Sequence, residues 1–125
     1  MIMKNPIEIS VQTTYLQEQS DTEHQQFAHS YTINITNHSD IGAQLLARHW
    51  HIQDEMGHVE TVIGEGVVGQ QPHISPGESF EYSSGAVIKT PTGTMKGSYS
   101  MLGDDGSRFE VEIPEFILSE PYTLH

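Results

Sequence analysis

The sequence predicts an all-β fold, an antiparallel β-sandwich of about seven strands with no substantial helix. Three observations carry this. Apolar residues recur at every second position in segment after segment. Clusters of Gly, Pro, Asp and Ser separate those segments. No segment holds an i, i+3, i+4, i+7 apolar stripe for three helical turns.

The elements follow in order. Ile7, Ile9, Val11, Thr13 and Tyr15 alternate with Glu8, Ser10, Gln12 and Thr14. The polar stretch QEQSDTEHQQ (17–26) is a long connection to a second strand, where Phe27, Tyr31, Ile33 and Ile35 form the inward set. RHWHIQ (48–53) and HVETVI (58–63) flank DEMG (54–57), which suits a type I turn closed by a glycine at positive φ. In that hairpin Asp54 faces His58, Ile52 pairs with Glu60 and Trp50 with Val62. SPGES (75–79) and TPTGT (90–94) are Pro/Gly breaks around a strand carrying Phe80 and Tyr82. Met95, Gly97, Tyr99 and Met101 form the next inward set. GDDGS (103–107) is a tight hairpin leading to Phe109, Val111 and Ile113. EPYTLH (120–125) is a short tail lying on the body. Strands of this number and spacing read as an immunoglobulin or fibronectin type III kind of sandwich, with a partly open barrel as the alternative. The 125 residues make one domain, 1–125.

Composition bounds the function. With no cysteine, a thiol nucleophile, a disulfide and a zinc–thiolate site are all excluded. The N-terminal MIMKNPIEIS has neither the long apolar stretch nor the small-residue cleavage site of a signal peptide, and no apolar run approaches the ~20 residues of a membrane span. A cytoplasmic protein is expected. Seventeen acidic residues against five basic ones give a net charge of −12. Such a chain repels nucleic acid and anionic membranes, so neither is expected as a partner.

GEGVVGQQP (64–72) contains G-x-G-x-x-G, the spacing of a dinucleotide-binding turn. A strand precedes it, but Pro72 and Pro76 follow where a helix would have to begin. No helix N-terminus is then available to attract a phosphate, and Glu65 adds a negative charge. No Lys-Ser/Thr follows the last glycine, which excludes a P-loop. The structural reading is that Gly64, Gly66 and Gly69 let the chain bulge and cross between sheets while Val67 and Val68 pack inward. A backbone anion nest is the remaining functional reading.

His49 and His51 share one strand face, a spacing compatible with metal chelation. With Asp54 they form the candidate metal set. His58 falls on the Trp50 face, so the third ligand that zinc needs is not supplied by it. Asp54/Glu55 and Asp104/Asp105 sit at hairpin tips without calcium-loop spacing. No G-x-S-x-G elbow and no fixed acid–base pair appears, so an enzyme is not expected. Lys89, with Arg48 and Lys96, is a candidate anion-binding group. No cofactor is expected.

The blocks 48–82 and 83–101, the closing IPEF (113–116) and the terminal Leu124-His125 resemble the ApaG family over essentially the whole chain. GEGVVG-x-QP and SGA-x-I-x-TP-x-GTM-x-G are specific to that family. The resemblance implies a fibronectin type III-like sandwich and carries no established enzymatic activity. It implies links, by name and gene neighbourhood, to a diadenosine tetraphosphatase. By phenotype it implies links to cobalt tolerance and magnesium efflux (the CorD name). The same domain beside protein-interaction modules, including F-box proteins, implies a binding role. The family usually has an apolar residue where this chain has His51, so a His49/His51 metal pair is not a family property. The expected function is a non-catalytic module that binds a protein or small ligand. Its surface is expected to be the glycine loop 64–72 (Gly64, Glu65, Gly66, Val67, Val68, Gly69) with a second loop over 84–97. A divalent-cation homeostasis factor is the alternative and a nucleotide-polyphosphate role the third. A weakly bound cation and a homodimer through an exposed sheet edge are the other partner expectations.

Overall fold

The computed structural model describes residues 6–121. The signal-peptide reading at the N-terminus and the Leu124-His125 match lie at least partly outside them. Eight strands form two antiparallel sheets. They are β1 (Ile7–Tyr15), β2 (Phe27–Asn37), β3 (Ala43–Asp54), β4 (Val59–Glu65), β5 (His73–Ile74), β6 (Ser79–Ile88), β7 (Thr92–Gly103) and β8 (Arg108–Ser119). One sheet runs β1-β2-β6. The other runs β4-β3-β7-β8, with β5 also paired to β3. The eighth strand is the two-residue β5, too short to leave a period in sequence. The polar connection 17–26 holds one 3-10 turn, Thr22–His24, and no helix among the described residues is long and apolar enough to cross a membrane.

Alternation does what the sequence predicts. Tyr31, Ile33 and Ile35 of β2 are buried and face Thr13, Val11 and Ile9 on one side and Ser84, Tyr82 and Phe80 on the other. Across the sandwich stand Leu45, Trp50, Ile52, Met95, Tyr99, Met101, Val111 and Leu118. Each fully buried aliphatic side chain contributes about 1.5–3 kcal/mol by leaving water. Trp50 packs edge-on against Tyr31 and Phe116, at centroid distances of 5.4 and 5.8 Å.

Polar groups tie the sheets together. The Tyr82 hydroxyl on β6 hydrogen-bonds the Tyr99 hydroxyl on β7. Burial pushes both, and Tyr31, above the ordinary phenol range, so the pair stays neutral. Asn37 ends β2 fully buried. Its Nδ2 donates to the carbonyls of Ile41 and Ile74, both at 2.9 Å. Its Oδ1 accepts from Ser39 N at 2.9 Å and Ser39 Oγ at 2.7 Å. One amide thus binds the end of β2, the turn before β3, and β5 in the other sheet.

Two expectations about the connections are corrected. Residues 64–72 do not cross between sheets: the chain leaves β3 with β4 and rejoins β3 with β5. The crossing that follows them is made by SPGES, between β5 and β6; the chain also changes sheet between β2 and β3 and between β6 and β7. Residues 84–97 are not a loop. They are the end of β6, the turn around Pro91 and the start of β7. Serine and glycine at those positions mislead because they resemble turn residues, yet Gly85 pairs with Ser30 and Gly97 with Trp50.

His29 is buried behind Tyr15, and neither ring nitrogen has a hydrogen-bond partner. Burial holds its pKa below the ordinary value of about 6.5, and the Glu120 carboxylate offsets this only in part. The native state therefore binds a proton less readily than the unfolded chain. This contribution to stability is full above about pH 6.5 and is lost as pH falls toward the native pKa. Urea unfolding between about pH 8 and pH 5 is expected to show a steeper loss of stability in the native protein than in His29→Leu. Parallel curves would contradict this. Asn37→Ala is expected to cost about 3 kcal/mol in the same assay, because it strands buried carbonyls.

Candidate functional site

The glycine segment is built around one irregularity. The β3–β7 register shifts between Leu45 and Ala47. Before this bulge the odd residue Leu45 points inward; after it Arg48, Trp50 and Ile52 do. The Leu46 carbonyl, at the bulge, continues the β3–β4 register. It accepts the Gly66 amide at 2.8 Å and the Gln71 side-chain amide at 2.9 Å. Leu45 N then donates to the Pro72 carbonyl at 2.9 Å, so pairing resumes on the far side. The segment between β4 and β5 fits over the bulge.

Inside this segment lies a two-residue hairpin. Val67 N donates to Gln70 O at 2.8 Å and Gln70 N to Val67 O at 2.9 Å. The two central residues, Val68 and Gly69, have φ of +42° and +79°, the signature of a type I′ turn. Gly69 suits that region. Val68 does not: a β-branched side chain at positive φ is strained. Val67 is fully buried, but Val68 is half exposed, which corrects the expectation that both pack inward. Gly66, at φ +63°, allows no side chain, since a Cβ would stand 2.2 Å from Gln70 O.

Arg48 clamps the base of the hairpin. It lies opposite Gly64 on the inward face, and its Nη1 donates to the carbonyls of Glu65 at 2.9 Å and Gly66 at 3.0 Å. A Cβ on Gly64 would come within 2.9 Å of the guanidinium. The sequence singles out Arg48 as a candidate anion-binding group and not as a clamp, although extending the Trp50–Val62 pairing by two residues sets it against Gly64. The amides of Gly66, Val67 and Gln70 all donate to protein carbonyls, and the Glu65 side chain is exposed beside them.

The three basic candidates are not brought together. Arg48 faces the interior. Lys96 is exposed opposite His51 on the outer face. Lys89 lines a cleft of about 310 Å³ with Asp54, His58, Glu60 and Val87, between the ends of β4 and β6. The metal candidates also separate. His49 and His51 project outward, whereas Asp54 has the parity of the inward set and accepts from Met56 N at 2.9 Å and His58 N at 3.0 Å. Among the described residues, no group of three or more His, Asp or Glu is placed to hold a metal ion. His58 lies on the Trp50 parity, as the hairpin register predicts.

Apolar exposure is concentrated next to the hairpin. Met56 (83 % exposed), Val59 (41 %), Ile63 (72 %) and Val68 (51 %) all fall between residues 56 and 68. β4, which carries two of them, ends its sheet and among the described residues pairs only with β3.

Two antiparallel sheets, a cross-sheet tyrosine pair and a glycine hairpin seated on a strand bulge define a fibronectin type III-like β-sandwich without a recognisable catalytic centre among the described residues. The chain belongs to the ApaG family. The model of the ApaG domain (DUF525) matches residues 17–103. The chain is 56 % identical over 119 residues to Protein ApaG of Pseudomonas putida, covering 95 % of this chain and 94 % of that one. It is 52 % identical over 122 residues to Protein ApaG of Nitrosomonas eutropha, covering 98 % and 96 %. The crystal structure of an ApaA protein from Bordetella pertussis superposes with a TM-score of 0.90 at 49 % identity, covering 94 % of this chain and 95 % of that one. None of these names states a reaction, ligand or partner.

The turn geometry separates three substitutions. Val68→Asn places Asn-Gly in the type I′ turn and is expected to raise stability by about 1 kcal/mol. Gly69→Ala, with open space around it, is expected to cost about 1 kcal/mol through φ alone. Gly66→Ala, which meets Gln70 O, is expected to cost about 3 kcal/mol or more. Urea midpoints of the three proteins check the order, and a Val68→Asn protein less stable than the native one would show that Val68 is not strained.

Proposed function

We propose that this chain is a binding module and not a catalyst, and that it takes a protein partner on the edge formed by β4 and the Val67–Gln70 hairpin. One observation carries the reading. Val68 holds a conformation costly for its residue type while leaving its side chain half exposed. Packing within the chain does not account for the residue. Strain of this kind persists where function uses it. The neighbouring exposed apolar residues Val59 and Ile63, on a strand with a free edge, support the same surface.

The observations favour a protein over an anion, because the hairpin amides at 66, 67 and 70 are committed to protein carbonyls. They favour it over a metal, because His49 and His51 stand apart from Asp54. Cation homeostasis then acts through a partner in this reading.

The test is cross-linking in cells. A photoreactive residue at Ile63 is expected to trap protein partners several times more efficiently than one at Gln12, an exposed position on β1. Val68→Asn is expected to reduce the Ile63 yield while leaving the fold intact. Equal yields at both positions would remove the β4 edge as the binding surface.

A further inference from the structure

We infer that the β4 edge pairs with the β4 edge of a second copy of this chain, in one register set by the strand itself. The inference rests on the proposed use of this edge for protein binding and names its partner.

The hydrogen-bond phase of β4 can be read from its two ends. Asp54 N donates to His58 O at 3.0 Å, and Gly66 N donates to Leu46 O at 2.8 Å. Both belong to the register in which Trp50 faces Val62 and Arg48 faces Gly64. Antiparallel pairs alternate between bonded and non-bonded. The even residues Glu60, Val62 and Gly64 therefore turn their amide and carbonyl toward β3. The odd residues Val59, Thr61 and Ile63 turn theirs toward the free edge.

A two-fold axis at Thr61 satisfies all three. Thr61 then faces Thr61 of the second copy, Val59 faces its Ile63, and Ile63 faces its Val59, each pair exchanging two backbone bonds. The side chains of these pairs lie on the outer face, so the exposed Val59 and Ile63 cover one another twice over. β-Branched cross-strand pairs of this kind are favourable. The charges are compatible as well: Glu60 falls opposite Val62 of the other copy and Glu65 opposite its Gly57, so no carboxylate faces another. The same register brings the turn carrying Val68 alongside the hairpin tip carrying Met56 of the second copy. All four exposed apolar residues of the 56–68 stretch then belong to one interface.

The other edges are protected or poorer. β8 contains Pro114, breaks register near it, and carries Glu110, Glu112 and Glu115. β1 lies against β8. β6 has Gly85 in its outer half and one strongly exposed apolar residue, Val87. β4 carries Glu60 and Glu65 but has no proline, no lysine and no bulge, three of the devices by which edge strands avoid self-association.

Sedimentation equilibrium of the purified chain, together with a single-cysteine variant, tests this. The measured mass is expected to rise from 14.0 kDa toward twice that value with concentration. The rise is expected to be larger at higher salt, because the net charge of −12 on each copy opposes association. Thr61→Pro removes only edge-facing donors and is expected to weaken dimerisation at least about tenfold with an unchanged melting curve. The native chain has no cysteine. Thr61→Cys is expected to oxidise to a covalent dimer, since a bonded pair sets Cα atoms about 5.5 Å apart, within disulfide range. Gln12→Cys is the control for random collision. The cysteine pair also decides the matter if Thr61→Pro does not fold. A chain that stays monomeric, with Thr61→Cys no faster to cross-link than Gln12→Cys, overturns the self-pairing. In that case cross-linking from Ile63 to other proteins still upholds the β4 edge as a binding surface.

Discussion

The bulge at Leu46 is the feature on which the glycine hairpin of this molecule depends. An extra residue in β3 reverses which side chains face the core. It thereby admits both Leu45 and Trp50 to the interior and turns Arg48 inward with them. The Leu46 carbonyl stays in the β3–β4 register and needs a donor from the segment after β4. Gly66 and Gln71 satisfy that carbonyl. The chain between β4 and β5 must therefore fold tightly over the bulge, and the I′ hairpin at Val67–Gln70 is the form it takes. Gly64, which resembles part of a nucleotide fingerprint, is small because the Arg48 guanidinium lies across it.

Closing the sandwich required polar groups in an apolar interior, and the chain handles them unevenly. Asn37 uses every bond its amide offers within reach, and Tyr82 and Tyr99 satisfy each other across the sheets. Such groups specify how the two sheets sit, because a shifted packing would leave them unpaired. His29 and the Trp50 indole nitrogen are buried without partners. They subtract from stability, and His29 makes the remainder sensitive to acid. The aromatic cluster of Trp50, Tyr31 and Phe116, with the rest of the core, offsets this cost.

At the free edge, charge and shape act in opposite directions. The large negative charge repels like molecules at long range. β4 itself lacks proline, lysine and a bulge, and three of the residues that face outward from it, Val59, Thr61 and Ile63, are β-branched. Long-range repulsion screened by salt, combined with short-range strand complementarity, suits an association that is weak and selective. Val68, at positive φ and half exposed, lies beside this edge.

How much of this was legible in the sequence depends on the range of the interaction. Period-two alternation is local, so the inward sets of β2, β7 and β8 could be read directly, as could the DEMG hairpin with its Trp50–Val62 register. The family, too, was legible in the glycine and serine blocks. The breadth of the 84–97 loop was misread, because Gly85 and Gly97 have the composition of turns but are held in strands by partners distant in sequence. The two-residue β5 left no period at all. That residues 64–72 return to the same strand and fold over it goes with the bulge, whereas the parting of Asp54 from His49 and His51 is strand parity, and the meeting of Arg48 with Gly64 is hairpin register. A bulge has no periodic signature. It arises when one strand must match two neighbours with different registers, and only tertiary structure brings β4, β5 and β7 together along β3 to impose that mismatch.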